Sequence, residues 1–324
     1  MSILHHAKRG MLLSTLLVLL LSVAAIMPIA ASAHGQNAKP HTWTILVGFD
    51  SQNHAIAGMD YLPEQIFINA GDTVTWNAFS VEPHTVTFLP PGQQPGKFDP
   101  NSPVQNLPQG GSSYDGKSLF SSGLIGISGG FPGGISYSLT FPLTGNFAYH
   151  CFVHNQMIGH VHVRPAGTPY PFTQADYNRQ AQQDGLALIN DGRNLQNHAN
   201  SISDNHHVTV GATDGQAMVM LFMPGNINIR VGDTVKFINR TPIDDPHTVT
   251  FGPFPNQPFP PVTPYGTPGN FTGQPQNSGL LGTNTNWISQ TVGNVYTVTF
   301  EQAGTYQFYC AIHMGMLVNI NVRA

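Results

Sequence analysis

The sequence predicts an all-β protein: two tandem antiparallel sandwiches joined by a linker that carries one helix. Three observations lead there. Sequence blocks recur in the same order in both halves, the blocks themselves alternate polar and apolar residues, and one segment between the halves breaks that alternation.

The repeat comes first, because self-similarity of this length organises everything else. "INAGDTVTW" (68–76) matches "IRVGDTVKF" (229–237), and "PHTVTF" occurs identically at 83–88 and 246–251. "SGLIG" (122–126) answers "SGLLG" (278–282), and "YSLTFPLTGNFAYHC" (137–151) aligns without a gap to "YTVTFEQAGTYQFYC" (296–310). Within these blocks "DTVTW", "HTVTF", "YSLTF" and "HVHV" alternate in the period-two manner of half-buried strands and are rich in Thr, Val and aromatics. Ala70-Gly71-Asp72 and Val231-Gly232-Asp233 have the composition of turns that launch a strand. The boundaries that follow are 42–166 for the first sandwich and 204–324 for the second.

Residues 167–203 form the linker. Inside it "TQADYNRQAQQDGLALINDGRNLQ" (173–196) reads as a helix with Thr173 as N-cap and Asp176 in the first turn, although Gly185 and Gly192 run against helix propensity. The Pro/Gly-rich stretches 89–134 and 252–290 fall between matching strands and read as loop insertions.

Composition agrees. A chain of 324 residues can bury two cores, and 34 glycines and 26 prolines suit turn-rich β structure. Only 9% of residues are charged, and the net charge of −4 excludes a basic nucleic-acid footprint.

Residues 1–33 read as a secretory signal: Lys8 and Arg9, the apolar run 11–27, then the small-residue site Ala31-Ser32-Ala33. The run is short for a bilayer span, which favours cleavage over retention as an anchor. No second run of spanning length follows, so the expected product is a secreted or extracytoplasmic protein with no stable membrane insertion, starting with a short tail (34–41).

Each half then supplies one upstream histidine and a Cys-x-x-His-x-x-Met loop: His84, Cys151, His154 and Met157, and His247, Cys310, His313 and Met316. Two imidazoles, a thiolate and a weak thioether make up the donor set of a blue-copper site, which suits both Cu(I) and Cu(II). Structural zinc would lack a fourth hard ligand. A Cys151–Cys310 disulfide, the usual reading of two cysteines in an exported chain, would consume both sites at once.

On the strength of "GDTV", "PHTVTF", "SGL" and the Cys-x-x-His-x-x-Met loop, both halves resemble cupredoxins, and the short loop is most similar to that of amicyanin. The resemblance implies a Greek-key β-sandwich, one type 1 copper per half and one-electron exchange with redox protein partners. It also implies that His154 and His313 reach the surface as electron ports, with Ile158, Met314 and Leu317 as apolar surroundings. Many members carry Asn after the upstream histidine, where its side chain ties two loops together; Thr85 and Thr248 stand there in this sequence and could do so with a hydroxyl. The strand after the axial Met usually opens with Gly, as at Gly159, but the second half has Val318.

Copper enzymes of the same fold need additional histidines. His150 beside Cys151 answers to Tyr309, and the position five residues after each upstream ligand is Leu89 or Gly252, so a type 2 site lacks a ligand. His160 and His162 answer to Asn319 and Asn321 and read as a solvent-facing pair. His34, the first residue after the cleavage site, could brace a copper ion only with a second histidine held close. The expected function is electron transfer rather than catalysis. Copper sequestration or delivery is the alternative, and an oxidase or nitrite reductase ranks below both.

Overall fold

A computed structural model describes residues 39–241, 245–256, 263–282 and 293–324. The signal segment and His34 lie outside these residues. The first half contains nine strands: β1 (Thr42–Asp50), β2 (Ile56–Leu62), β3 (Gln65–Asn69), β4 (Thr73–Ala78), β5 (Thr87–Phe88), β6 (Phe120–Ser121), β7 (Ser136–Thr140), β8 (Gly145–His150) and β9 (Ile158–Arg164). A single helical turn, α1 (Pro103–Asn106), interrupts the long loop before β6. After the helix α2 (Gln174–Ser201) the second half repeats the nine: β10 (His207–Thr213), β11 (Ala217–Met223), β12 (Asn226–Arg230), β13 (Thr234–Ile238), β14 (Thr250–Phe251), β15 (Gln276–Asn277), β16 (Val295–Thr299), β17 (Gly304–Tyr309) and β18 (Leu317–Arg323).

The period-two pattern does what it predicts. Along β4, Val74, Trp76 and Ala78 are buried while the alternate residues are partly exposed, and in β13 Val235 and Phe237 point inward. In the first core Trp76 packs against Phe88, Phe141 and Tyr149. In the second, Phe308 packs against Phe237, Phe271 and Phe300. Both "AGD/VGD" turns carry glycine in the left-handed region, Gly71 at φ 98° and Gly232 at φ 89°. Asp72 then accepts hydrogen bonds from Trp43 Nε1 (3.0 Å) and the Tyr170 hydroxyl (2.9 Å), tying the strand entry to the chain that leads into the helix.

One sheet of each sandwich is private to its half. The orders β3-β9-β8-β5-β6 and β12-β18-β17-β14-β15 are the same order in equivalent strands. The other sheet is shared. It runs β16-β13-β10-β11-β2-β1-β4-β7, an order that reads equivalently from either end, with β2 and β11 paired antiparallel at the centre (Ala217↔Gly58, Met218↔Ala57, Val219↔Ile56). The two sandwiches are therefore fused edge to edge rather than strung on a linker. Each edge strand covers the other's unpaired backbone groups.

The helix seals that seam. Thr173 caps the helix as the sequence predicts, Asp176 returns a hydrogen bond to complete a reciprocal capping box, and the helix runs on to Ser201. Its buried face (Tyr177, Ala181, Gly185, Leu188, Ile189, Gly192, Ala199) recurs at helical spacing and lies over the joined sheet with Phe49, Ile56 and Val219. The two helix glycines have a reason. A Cβ on Gly185 would sit 2.4 Å from the Phe49 ring, and one on Gly192 2.2 Å from Ile56 Cγ2. Gly185→Ala should thus reverse the usual helix gain of about 1 kcal/mol and cost a net ~1–2 kcal/mol through overpacking. Urea denaturation of the two proteins side by side measures it; a more stable variant would mean the helix stands off the sheet.

Candidate metal centres

The upstream histidines sit on short backbone bridges built by the "SGL" blocks. His84 exchanges both backbone hydrogen bonds with Ile125 (2.9 and 2.8 Å), and His247 does so with Leu281 (3.1 and 2.7 Å). Nearby, Ser122 and Ser278 each accept the amide two residues beyond the histidine, both at 2.8 Å. Room for the imidazole comes from a bulge in the first strand of each half, at Gly48 (φ 73°) and Gly211 (φ 69°). A Cβ on Gly48 would lie 2.7 Å from His84 Nε2, and one on Gly211 1.9 Å from His247 Nε2. Sequence reasoning missed these two glycines. Their signal was available: each interrupts the first strand of its half at an equivalent place.

The other candidates ride on one tight loop. Cys151 donates its amide to the Met157 carbonyl (3.1 Å) and Met157 donates to the His154 carbonyl (3.0 Å). The second loop repeats both bonds, Cys310 to Met316 at 3.0 Å and Met316 to His313 at 3.3 Å. Thr85 and Thr248 fasten the loop to the upstream strand, as the sequence suggested. Thr85 Oγ1 accepts from the Phe152 amide (2.8 Å), and Thr248 Oγ1 accepts from the Ala311 amide (2.7 Å). Val318 does not distort the second loop, because its partner changes too. Gly159 pairs with Tyr149, whose ring would be 2.2 Å from an added Cβ, whereas Val318 pairs with Phe308.

The result is two nearly identical triads. In the first, His84 Nδ1 and His154 Nδ1 are 3.2 Å apart and lie 4.0 and 3.7 Å from Cys151 Sγ. In the second, His247 Nδ1 and His313 Nδ1 are 2.9 Å apart and lie 3.9 and 3.6 Å from Cys310 Sγ. Triangles of this size suit a central ion with bonds of roughly 2.0–2.3 Å. Among the described residues these two triads are the groups whose donor atoms all fall within 4.8 Å of one another. Met157 and Met316 are buried beside them, and both cysteines are free, so the disulfide reading is excluded. Amides of Thr85 and His154 point at Cys151 Sγ (both 3.4 Å), and that of Thr248 at Cys310 Sγ (3.3 Å). Such donors stabilise a thiolate.

The family model of copper binding proteins, plastocyanin/azurin family, matches residues 50–164 and again 206–323, together well over half of the chain. This chain belongs to that family. Plastocyanin from Solanum crispum is 30% identical over 108 residues, which span 33% of this chain and 88% of the plastocyanin. Plastocyanin from Solanum tuberosum is 29% identical over the same length and shares. The Cu(I) form of an amicyanin variant aligns at 22% identity over 38% of this chain and 82% of its own, with a TM-score of 0.25.

As a member of the plastocyanin/azurin family the chain departs from expectation in one respect. His313 does not emerge on an outer surface, and His154 does so only in part. His313 is 4% exposed and His154 half-buried, and both line a cavity of about 400 Å3 between the halves. Phe98 and Phe131 of the long first loop, Met218 of the seam and Met314 line it too, so that loop covers the centres rather than decorating the surface. Ile158 and Leu317 remain surface residues on β9 and β18. The cause is the shared sheet, which turns the two loop ends toward each other.

The other histidines among the described residues stay outside both triads. His150 alternates with buried Tyr149 and Cys151 on the other side of its strand. His162 stacks on Phe67 and bonds to Asn146 (2.8 Å) on the outer face of the sheet, where Asn319 and Asn321 bond to Asn226 and Asn228 in the second half. Leu89 packs partly buried against the first core.

The electrostatics of the triads differ. Burial drives His154 down to about 4, and His84 well below its ordinary value. Burial also disfavours charge on His247, but the Asp245 carboxylate, 3.2 Å from Nε2, outweighs it and lifts the ring to about 10.

Thr85→Val keeps the shape of the side chain and leaves the Phe152 amide without its acceptor, which should cost about 1–3 kcal/mol. Thr85→Ser should recover most of that loss. Chemical denaturation of both variants checks the assignment, and equal stability of valine and wild type would remove Thr85 from the site's support.

Proposed function

We propose that the protein is an exported electron carrier with two type 1 copper centres, His84–Cys151–His154–Met157 and His247–Cys310–His313–Met316. The observation that supports it most is the duplicated triangle of two Nδ1 atoms and one Sγ, each buried with a methionine beside it. Soft sulfur with imidazole selects copper over hard cations, and a methionine is a poor fourth ligand for zinc. Copper would supply a one-electron couple at each centre.

The chain's own residues do the rest. Amide donors offset part of the burial cost of charge on the cysteine sulfur, which bound metal would deprotonate, and the upstream strand and the loop fix the donors from two sides, so ligands need move little between oxidation states. The apolar cavity keeps water from the loop histidines. Redox protein partners are expected to approach where His154 retains exposure. Outside the cytoplasm the thiolates would be protected by metal ligation and burial rather than by a disulfide.

Sequestration or delivery would call for a donor set that releases its ion, whereas both triads are closed in by strand, loop and long insertion. An oxidase or nitrite reductase would require histidines where Leu89 and Gly252 stand.

Metal analysis with visible and EPR spectra tests the reading: two copper ions per chain, both strongly blue. Weakly coloured, readily chelated copper would overturn it. Cys151→Ser should remove one blue centre and leave the other. Met157→Leu should retain copper with a raised potential, because the thioether tunes the ion rather than holding it.

A further inference from the structure

The repeat offers a comparison within one molecule. Its most conserved-looking block, "PHTVTF", is identical in both halves, and the residue before it is acidic in both: Glu82 and Asp245. The two acids are each buried, yet they do not play matching roles. Asp245 folds back onto its own half and meets His247 Nε2 at 3.2 Å. Glu82, one methylene longer, reaches across the interface instead and places Oε2 3.7 Å from His313 Nε2. Both carboxylates therefore bear on imidazoles of the second triad. His84 Nε2, the counterpart of the His247 atom, is buried with no hydrogen-bond partner. His154, the fourth imidazole, makes its close polar contacts through Nδ1, within its own triad.

A carboxylate that accepts the far N–H of a metal-bound imidazole makes the near nitrogen more basic. A more basic ligand stabilises the oxidised, more highly charged ion over the reduced one. Among the described residues no carboxylate stands within hydrogen-bond distance of a first-triad imidazole, although the charge of Asp245 also acts on His154 through space.

We propose that the two centres are an unequal pair, ordered by Asp245 and Glu82, with the second centre the more reducing, so that an electron delivered to the pair by a redox protein partner passes from the second centre, which is oxidised, to the first, which is reduced. This rests on copper at both centres. The route is short, because His154 and His313 face one cavity and Glu82 spans the interface, joined to His84 through Pro83 and touching His313. The ordering also suits exposure: the centre that collects the electron is the one whose loop histidine, His154, keeps an open edge, while His313 is closed in. Asp245 and Glu82 are positioning residues. They act through the imidazoles and touch no ion.

The test uses full-length, copper-loaded protein in which one cysteine is replaced, so that each centre is observed alone. Copper per chain and the blue band are recorded first; failure to bind one copper in either variant would count against the function proposed above. With that established, redox titration followed at the blue band should give Cys151→Ser, which retains the second centre, a lower potential than Cys310→Ser. Adding Asp245→Asn to Cys151→Ser should shift its oxidised-to-reduced ratio at fixed ambient potential toward the reduced form by tenfold or more, about 59 mV for one electron. Glu82→Gln should shift it in the same direction by less, and neither change should move the first centre comparably. Equal potentials, a higher potential at the second centre, or an unmoved potential in both acid variants with copper still bound would overturn the proposal. If Asp245→Asn lost copper, the comparison of the two single-cysteine variants together with Glu82→Gln would decide it.

Discussion

Three polar donors from segments 67 residues apart converge inside an apolar core, and most of the surrounding structure answers to the cost of bringing them there. An imidazole or a thiolate loses its water on burial and must regain partners. Here the regained partners are each other and a few backbone amides, with Asp245 and Glu82 added at the second triad alone. Two Nδ1 atoms and one Sγ brought this close are groups that could hold a metal ion, and the chain belongs to a family of copper binding proteins.

The second constraint is the fused sheet. Pairing β2 with β11 settles at once the edge-strand problem of both sandwiches and the direction in which their loop ends point. An antiparallel pair at the centre of the sheet relates the two halves in opposite sense. Equivalent loops are thereby brought to opposite walls of one cavity. The helix fixes that relation by covering the joint, and its two glycines let it lie close enough to do so. Packing far from the triads thus sets which atoms the triads present to each other. The fold link and the function link meet at the seam.

Much of this was legible in the sequence. The repeat, the strand blocks, the N-cap at Thr173 and the six His and Cys candidates that the fold brings together could be read because each is a local pattern with a fixed spacing or composition. The roles of Thr85 and Thr248 were readable as well, since a hydroxyl after the upstream histidine can replace an amide there. What escaped reading was contact between parts distant in sequence. Gly185 and Gly192 looked like weak points in a helix, because nothing in the sequence says that Phe49 and Ile56 press on them. Gly48 and Gly211 looked like ordinary strand interruptions until an imidazole was placed over them. The expectation of a surface electron port failed at His313 for the same reason: it was a statement about one sandwich, and the pairing of β2 with β11 is a property of two.

A duplicated site is usually read as a doubled capacity. The acidic residues argue for a different outcome. If both halves served independent partners, nothing would require the two loop histidines to share one cavity, and each acid would be expected to serve its own half. Instead a difference of one methylene sends Glu82 across the interface while Asp245 stays home, and the near-symmetry of the backbone ends in an asymmetry of charge. Symmetric placement brings two centres close; asymmetric charge tells them apart. Directed exchange between two sites needs both properties, and here each has its own source, one in the backbone pairing of the seam and one in the lengths of two side chains.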